Sequence, residues 1–333
     1  MYNLENESMS FSSSSFVDAY ENFEEDVDWE LRFSKLKKVC TSEVDLNEKI
    51  EYLRTSLNDS HRAIRYTAVN SLKDLDHEQV EELLIYALSD SDEWVRVRAV
   101  EGLGRISSPS VVEIFVKYLD QEENPKVKAT LVKHLGSFQE DGLIPTIAFY
   151  LEDPDARVRA NAVEGLGFYP SDKVLHIIKP FLEDDNARIR ANVALILSKI
   201  SDTKAQFTID EMLDSKNSYQ IVGAIFSLGE LKDEKYLSKL FEYLNHPSSL
   251  IQRNVRDALV KYGIQIQGAL LKEIRSRAGD FFTIGAVQVL GEIGDKKAIK
   301  TLVNLMESSE GEIRSFAEEA IDMICQRAEN KDS

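Results

Sequence analysis

A basic side chain recurs at a nearly constant interval through the first part of the chain. It is arginine at four of five positions, and the interval is 31 or 32 residues. An arginine guanidinium is planar and always charged, so it can hold a carboxylate through two parallel hydrogen bonds. Further arginines lie two residues to one side or the other of this column. The column and these neighbours are Arg65, Arg96, Arg98, Lys128, Arg157, Arg159, Arg188 and Arg190.

Two interpretations of these arginines remain open. In the first, each guanidinium binds an acid in a turn of a neighbouring repeat, for which Asp92, Asp155 and nearby acids are available, and the arginines form a structural ladder. In the second, they form a basic ridge that binds an acidic partner. The helix N-termini expected beside such a ridge also favour anions.

A second column, five residues after the first, is mixed in chemistry. It carries acids at Glu101, Glu164, Asp257 and Glu319, and it changes to Leu195 and Phe226 between them. Mixed charge suits a protein or peptide partner better than the phosphates of a nucleic acid. The apolar break, together with the nearby Tyr219, is a candidate partner contact. The alternative is that these apolar side chains pack into the core.

Catalytic motifs are absent from the sequence. It contains no phosphate-binding glycine loop and no serine in a nucleophile elbow. The five histidines are scattered, and Cys40 and Cys325 lie far apart without metal-ligand spacing. We therefore predict no catalytic residues, no metal and no cofactor. The cysteine usage fits a reducing compartment better than a disulfide framework.

The elements that position these columns are predicted to be paired helices. The stretch EQVEELLIYAL places Val80, Leu83, Leu84, Ala87 and Leu88 on one helical face. A second helix follows each such segment after a short polar break. It begins at a residue able to cap free N–H groups, namely Asp92, Asn124, Asp155 or Asn186 in successive units.

The helix pairs repeat. The leucine that ends the core stripe of each second helix recurs every 31 or 32 residues, and a ninth unit places an isoleucine in the same register. These residues are Leu72, Leu103, Leu135, Leu166, Leu197, Leu228, Leu259, Leu290 and Ile321. A two-helix unit of this size cannot bury its own apolar face, so stacking of neighbours is required. The prediction is an all-α solenoid of about nine two-helix repeats.

The repeated phrase resembles the HEAT repeat. It reads DSDEWVRVRAVEGLG at 90–104, DPDARVRANAVEGLG at 153–167 and DDNARIRANVALILS at 184–198. The short variety found in bacterial proteins and in phycobilisome lyase subunits is the most similar. The resemblance implies an α-α superhelix of the HEAT/armadillo-like type, whose second helices line a concave face.

The resemblance is specific for fold and nearly silent about function, because this fold hosts unrelated activities. We predict a non-catalytic scaffold or adaptor that binds a protein or peptide on the concave face. The alternative is a phycobilin lyase-like subunit, which would handle a tetrapyrrole and its acceptor protein. The expected organisation is an acidic, largely disordered tail at 1–27, a capping helix at 28–44, the repeats at 45–327 and a disordered C-terminus at 328–333.

The N-terminal segment is strongly acidic. The formal net charge of the chain is -18, and no lysine or arginine precedes Arg32. Aromatic residues are interleaved with its acids, and Phe16, Tyr20, Phe23 and Trp29 are candidate docking residues. Their target would be a partner or the chain's own basic ridge. The alternative is a solvated tail that only aids solubility.

The remaining expectations concern location and partners. No apolar run has the length of a membrane span, and the N-terminus lacks the charged and apolar regions of a signal peptide. A cytoplasmic protein without membrane insertion is predicted. An acidic chain is also a poor ligand for nucleic acid, so none is expected as a partner.

Overall fold

The computed structural model describes residues 28–106, 108–169, 171–276 and 280–332. These residues form a capping helix, α1 (Trp29–Thr41), followed by nine helix pairs joined by turns. The first helices of the pairs are α2 (Leu46–Ser56), α4 (Val80–Ala87), α6 (Pro109–Leu119), α8 (Ile144–Phe149), α10 (Asp172–Ile178), α12 (Thr203–Leu213), α14 (Leu237–Tyr243), α16 (Gln267–Ser276) and α18 (Lys296–Ser308).

The second helices carry the repeated phrase and both columns. They are α3 (Arg62–Leu72), α5 (Glu93–Ile106), α7 (Pro125–Ser137), α9 (Ala156–Leu166), α11 (Ala187–Ser198), α13 (Ser218–Leu231), α15 (Ser249–Tyr262), α17 (Asp280–Ile293) and α19 (Glu312–Asp332). The predicted all-α repeat of about nine units is confirmed. Short 3-10 turns adjoin several of the first helices, as at 150–152 and 179–183.

The described residues form two compact units, which are divided along the chain between Val127 and Lys128. In the first unit, hereafter unit 1, α1 packs on α3 and α3 packs on α5. In the second, unit 2, the second helices from α9 to α19 pack on one another in chain order. Each unit is therefore a stack in which a second helix is sealed by its neighbours.

The predicted N-caps begin the second helices. The Asp92 side chain accepts hydrogen bonds from the backbone N–H groups of Trp94 and Val95, at 2.9 and 3.3 Å. Asn124, Asp155 and Asn186 accept the corresponding bonds from residues 126, 157 and 188. Each cap satisfies donors that the first helical turn leaves open.

The predicted core stripe is buried. The eight register leucines from Leu72 to Leu290 are at most 1% exposed, whereas Ile321 is half-buried. The predicted apolar face of α4 is buried as well. Each fully buried side chain of this size contributes about 1.5–3 kcal/mol, so repetition of one stripe supplies the main driving force for stacking.

The C-terminal helix continues beyond the predicted end of the repeats. α19 extends to Asp332, through residues that the sequence analysis assigned to a disordered C-terminus. The Arg327 guanidinium contributes to this extension, because it donates hydrogen bonds to the carbonyl oxygens of Gly291 and Gly294. No helix among the described residues is both long and apolar enough to cross a membrane.

Candidate functional site

The arginine column forms a ladder of ion pairs within each unit. Arg96 holds both carboxylate oxygens of Glu122, at 2.9 and 3.0 Å. Arg65 holds Asp90 in the same way, at 2.7 and 2.9 Å. In unit 2, Arg159 lies 3.4 Å from Asp184. In every case the acid belongs to the turn of the next repeat, so each pair ties two repeats together.

The ladder begins at the capping helix. Arg32 in α1 holds Asp59, in the first repeat's turn, at 2.8 and 3.1 Å. Arg32 thus occupies, for the first repeat, the place that Arg65 occupies for the second. The capping helix is therefore joined to the first repeat by the same arginine–carboxylate pair that joins successive repeats.

The column residue also closes its own turn. Arg65 and Arg96 donate to the backbone carbonyl six residues earlier, at 3.0 and 2.8 Å, and Arg159 does so at 2.9 Å. Where the column changes to Gln252, the side-chain amide donates to the carbonyl of His246 at 2.7 Å. Arg190 makes this bond too. The hydrogen bond to the carbonyl six residues earlier is therefore kept at Arg190 and Gln252, where the ion pair with the next repeat is absent.

The turn acids that receive the arginines lie two residues before the N-caps. Asp90 accepts a hydrogen bond from the backbone N–H of Asp92 at 2.8 Å, and the same carboxylate receives Arg65. Among the acids that the sequence offered as ladder partners, Asp92 and Asp155 cap their own helices, and nearby acids receive the column arginines. Asp92 also lies 3.6 Å from Arg62 of the preceding repeat. Asp155 also holds its own helix neighbour Arg157, at 2.8 Å.

In the part of the chain that the structure describes, the other basic candidates do not form a two-bond ion pair with an acid of the next repeat. Arg98 donates to the Tyr66 hydroxyl and to Glu101. Arg188 donates to Glu164 at 3.1 Å. Lys128, at the start of unit 2, is half-buried and forms no hydrogen bond or ion pair within the described residues.

Glu164 of the second column is the centre of a cluster in unit 2. It lies 2.7 Å from Lys133 of α7 and accepts from Asn192 of α11 at 3.0 Å, besides its bond with Arg188. Burial alone would raise the pKa of Glu164, but the charges of Lys133 and Arg188 outweigh it and hold the pKa below the ordinary value of 4.5. The carboxylate thus joins three successive second helices.

The apolar candidates differ in exposure. Leu195 and Phe226 are half-buried, and the Lys261 ammonium lies 4.8 Å from the centre of the Phe226 ring. Tyr219, in the first turn of α13, is 62% exposed. Leu195 and Phe226 are therefore partly packed, as the alternative interpretation held, while Tyr219 lies at the surface.

Two further residues share the position of Tyr219. Leu250 was missed by the sequence analysis, whereas Phe281 belongs to the stretch GDFF at 279–282, a weaker apolar candidate in the sequence. Leu250 and Phe281, in the first turns of α15 and α17, are 42% and 60% exposed. Tyr219, Leu250 and Phe281, hereafter the apolar row, are spaced by 31 residues. The signal was present as a large apolar residue at one register position in three repeats, but sequence alone did not show that this position is exposed.

The family is decided by comparison with known proteins. The HEAT repeat family matches residues 50–135, 112–198 and 147–220, which together span slightly more than half of the chain. The chain belongs to the HEAT-repeat family. Its architecture is an all-α HEAT solenoid, as the repeat phrase predicts. No curated protein matches the sequence.

Several solved structures match the chain at low sequence identity. The complex of CpcE and CpcF of phycocyanin lyase from Nostoc sp. PCC7120 is 16% identical, with 73% of this chain and 93% of that chain covered and a TM-score of 0.49. Escherichia coli YibA is 18% identical, with 81% and 99% covered and a TM-score of 0.45. Human deoxyhypusine hydroxylase is 16% identical, with 84% and 96% covered and a TM-score of 0.36.

The predicted docking segment is described only at its end. Phe16, Tyr20 and Phe23 lie outside the described residues. Trp29 begins α1 and stacks on the His61 ring of the first HEAT repeat, with ring centres 4.1 Å apart and planes 10° apart. Trp29 therefore contributes to the packing of the capping helix.

No group of three or more histidine, cysteine, aspartate or glutamate side chains in the described part of the chain is placed to hold a metal ion. Cys40 is half-buried, with its sulfur 3.0 Å from the Ser71 hydroxyl, and Cys325 is exposed.

The Glu164 cluster predicts an acid-dependent loss of stability. Because the folded-state pKa is lowered, this carboxylate stabilises the fold fully above its unfolded pKa, and the contribution is lost as pH falls through the folded value. Glu164→Gln should lower the free energy of unfolding by about 2 kcal/mol near neutral pH, because it removes charge-assisted hydrogen bonds. The difference from wild type should shrink at about pH 3.5.

Urea unfolding followed by circular dichroism at both pH values measures this effect. Glu113→Gln is the matched control, because Glu113 is an exposed acid on α6. A constant difference between Glu164→Gln and wild type at both pH values would show that the Glu164 carboxylate does not stabilise the fold through its charge.

Proposed function

We propose that this chain is a non-catalytic scaffold or adaptor that binds a protein or peptide along its second helices. The observation that carries the proposal is the apolar row of Tyr219, Leu250 and Phe281. Single exposed apolar residues are normal on protein surfaces. An exposed apolar side chain at one position of three successive repeats is a continuous feature, and it fits an elongated partner.

The energetics of the apolar row suit recognition. Burying a large apolar side chain contributes about 1.5–3 kcal/mol relative to leaving it exposed. The exposed fractions of 62%, 42% and 60% leave much of that contribution available to a partner. Aromatic residues such as Tyr219 and Phe281 also dominate binding energy at protein interfaces.

The arginine column has two parts in this proposal. Arg65, Arg96 and Arg159 hold the repeats together, because their guanidinium groups already bind carboxylates of the next repeat. Arg157 and Arg188 are more exposed, at 35% and 41% of their side-chain surface, and together with Arg98 they are the charged residues that a partner would contact. Lys128 and Arg190 lack an acid partner in the ladder and remain candidate contacts. Leu195 and Phe226 would extend the contact from the apolar row.

The test is loss of partner capture without loss of folding. Replacing all three residues of the apolar row by serine should abolish capture of specific proteins from an extract of the native organism, while the melting temperature stays within a few degrees of wild type. The matched control is Phe207→Ser, because Phe207 of α12 is 60% exposed, like Phe281, but lies on a first helix. A captured protein must then bind the purified wild-type chain and not the triple variant.

An unchanged set of captured proteins would remove the apolar row from the proposal. The lyase-like alternative makes a different prediction, since a bilin mixed with the protein would show a shifted visible absorption band. The scaffold proposal expects no such shift.

A further inference from the structure

The helix in the middle of the apolar row carries two unusual arginines. Arg253 and Arg256 of α15 occupy register positions that hold apolar residues in the other central repeats. At the Arg253 position α5, α7, α9 and α11 have buried Val97, Ala129, Ala160 and Ala191. At the Arg256 position α5 through α13 have buried Val100, Val132, Val163, Ala194 and Ile225.

These positions face the following second helix. In unit 2 the backbone carbonyls of Ala129, Ala160 and Ala191, equivalent to Arg253, accept hydrogen bonds from Asn161, Asn192 and Ser227 of the next second helix. By the same register, Arg253 and Arg256 lie on the side of α15 that faces α17. Arg253 is exposed and Arg256 is half-buried, so positive charge replaces apolar residues on this side of α15.

Arg256 is half-buried and forms no hydrogen bond or ion pair within the described residues. Burial lowers its pKa and the neighbouring Arg253 lowers it further, while Asp257 opposes them. A partly desolvated charge without a partner is destabilising, and a partner's carboxylate would relieve that cost.

We propose that α13, α15 and α17 bind an extended acidic segment of a partner protein. Its carboxylates pair with Arg253 and Arg256, and its aromatic or aliphatic side chains cover Tyr219, Leu250 and Phe281. This inference rests on the proposed scaffold function and specifies the partner's chemistry. Packed helices lie about 8–10 Å apart, and a chain in the extended polyproline II conformation advances about 3.1 Å per residue, with every third side chain on the same side. The apolar anchors should therefore recur about every third residue.

The experiment uses the full chain and a fluorescein-labelled peptide that repeats the triplet Phe-Asp-Glu. Fluorescence anisotropy should show saturable binding. A peptide with lysine in place of the acids should bind at least about tenfold more weakly, since a tenfold change corresponds to the loss of about one charge-assisted hydrogen bond. A peptide with serine in place of phenylalanine should also bind at least about tenfold more weakly, because it buries less apolar surface. Equal binding of the lysine peptide would overturn the charge assignment.

The variants separate recognition from folding. Arg256→Leu restores the apolar residue type of the other repeats, so it should leave the melting temperature unchanged or raise it while weakening binding about tenfold or more. Its control is Arg314→Leu, since Arg314 is an exposed arginine of α19. Phe281→Ser should weaken binding and Phe207→Ser should not. Arg256→Leu that binds like wild type would overturn the proposal.

Two further outcomes are informative. If the apolar-row variant loses its captured protein but Arg256→Leu retains it, the scaffold function stands and the acidic partner is wrong. If a labelled peptide of residues 1–27 binds more tightly than the Phe-Asp-Glu peptide, and Arg256→Leu abolishes that binding, the occupant is the chain's own acidic segment and the assignment to a partner protein is overturned.

Discussion

Reversing the charge of one ladder arginine, Arg96→Glu, is expected to lower the free energy of unfolding of unit 1 by about 4 kcal/mol. Breaking a largely buried ion pair costs about 3–5 kcal/mol, because the remaining charge is left without compensation. The side chains of Arg96 and Glu122 are only 16% and 9% exposed. The variant also places like charges together and removes the donor to the carbonyl of Asp90.

Tryptophan fluorescence during urea unfolding measures this effect selectively. The chain has two tryptophans, Trp29 and Trp94, and both lie in unit 1. The control is Arg105→Glu on the same helix. Arg105 pairs with Asp74 at 2.7 Å, but the two side chains are 58% and 60% exposed. Exposed pairs contribute about 0–1 kcal/mol, so the control should unfold nearly like wild type.

The combination Arg96→Glu with Glu122→Arg should recover part of the lost stability, because the charges are again opposite. If Arg96→Glu alone unfolds like wild type and yet loses partner binding, the arginine column is a binding ridge and the ladder interpretation fails.

Much of the fold was predictable because it depends on local patterns. The N-caps, the register leucines and the apolar face of α4 follow from spacing within one helix. The sequence indicated that the arginines could pair with turn acids, but not which acid each arginine holds. Asp90 and Asp92 are the same residue type two positions apart, and backbone direction decides which one caps the helix and which one faces the preceding arginine.

The candidate site was less predictable because it depends on exposure. Phe226 and Tyr219 are both aromatic residues of α13, but one is half-buried and the other is at the surface. Leu250 is an ordinary helical leucine until its register is compared with that of Tyr219 and Phe281. Arg256 stands out only when the equivalent residues are seen to be buried.

The ladder arginines and the apolar row lie in different repeats. Ladder arginines that hold a carboxylate of the next repeat occur from Arg65 to Arg159, and α13 has Ile221 where the column residue would lie. The apolar row begins in that same helix. The apolar row therefore lies on α13, α15 and α17, helices without a basic residue at the column position. Under the proposed function, the apolar contacts would lie in repeats other than those that the ladder arginines hold together.

The close approach of α7 and α9 in unit 2 supports a second prediction of large effect, for Gly136→Ala. A Cβ atom on Gly136 would lie 2.2 Å from the carbonyl oxygen of Gly165 and 2.4 Å from its Cα. The obstructing atoms are backbone, so no side chain can rotate away and the helices must separate. Overpacking of this kind costs about 1–3 kcal/mol and sometimes more, and we expect about 3 kcal/mol here.

Amide hydrogen exchange of α7, α9 and α11 measures this loss, because separation of the helices should speed exchange there before it does so in α17 and α19. Gly268→Ala in α16 is the control. No atom lies within 4 Å of a Cβ placed on Gly268, and alanine stabilises a helix by about 0.5–1 kcal/mol relative to glycine. Slower or unchanged exchange in Gly136→Ala would mean that α7 and α9 are not in close contact, and that the repeats stack through side chains alone.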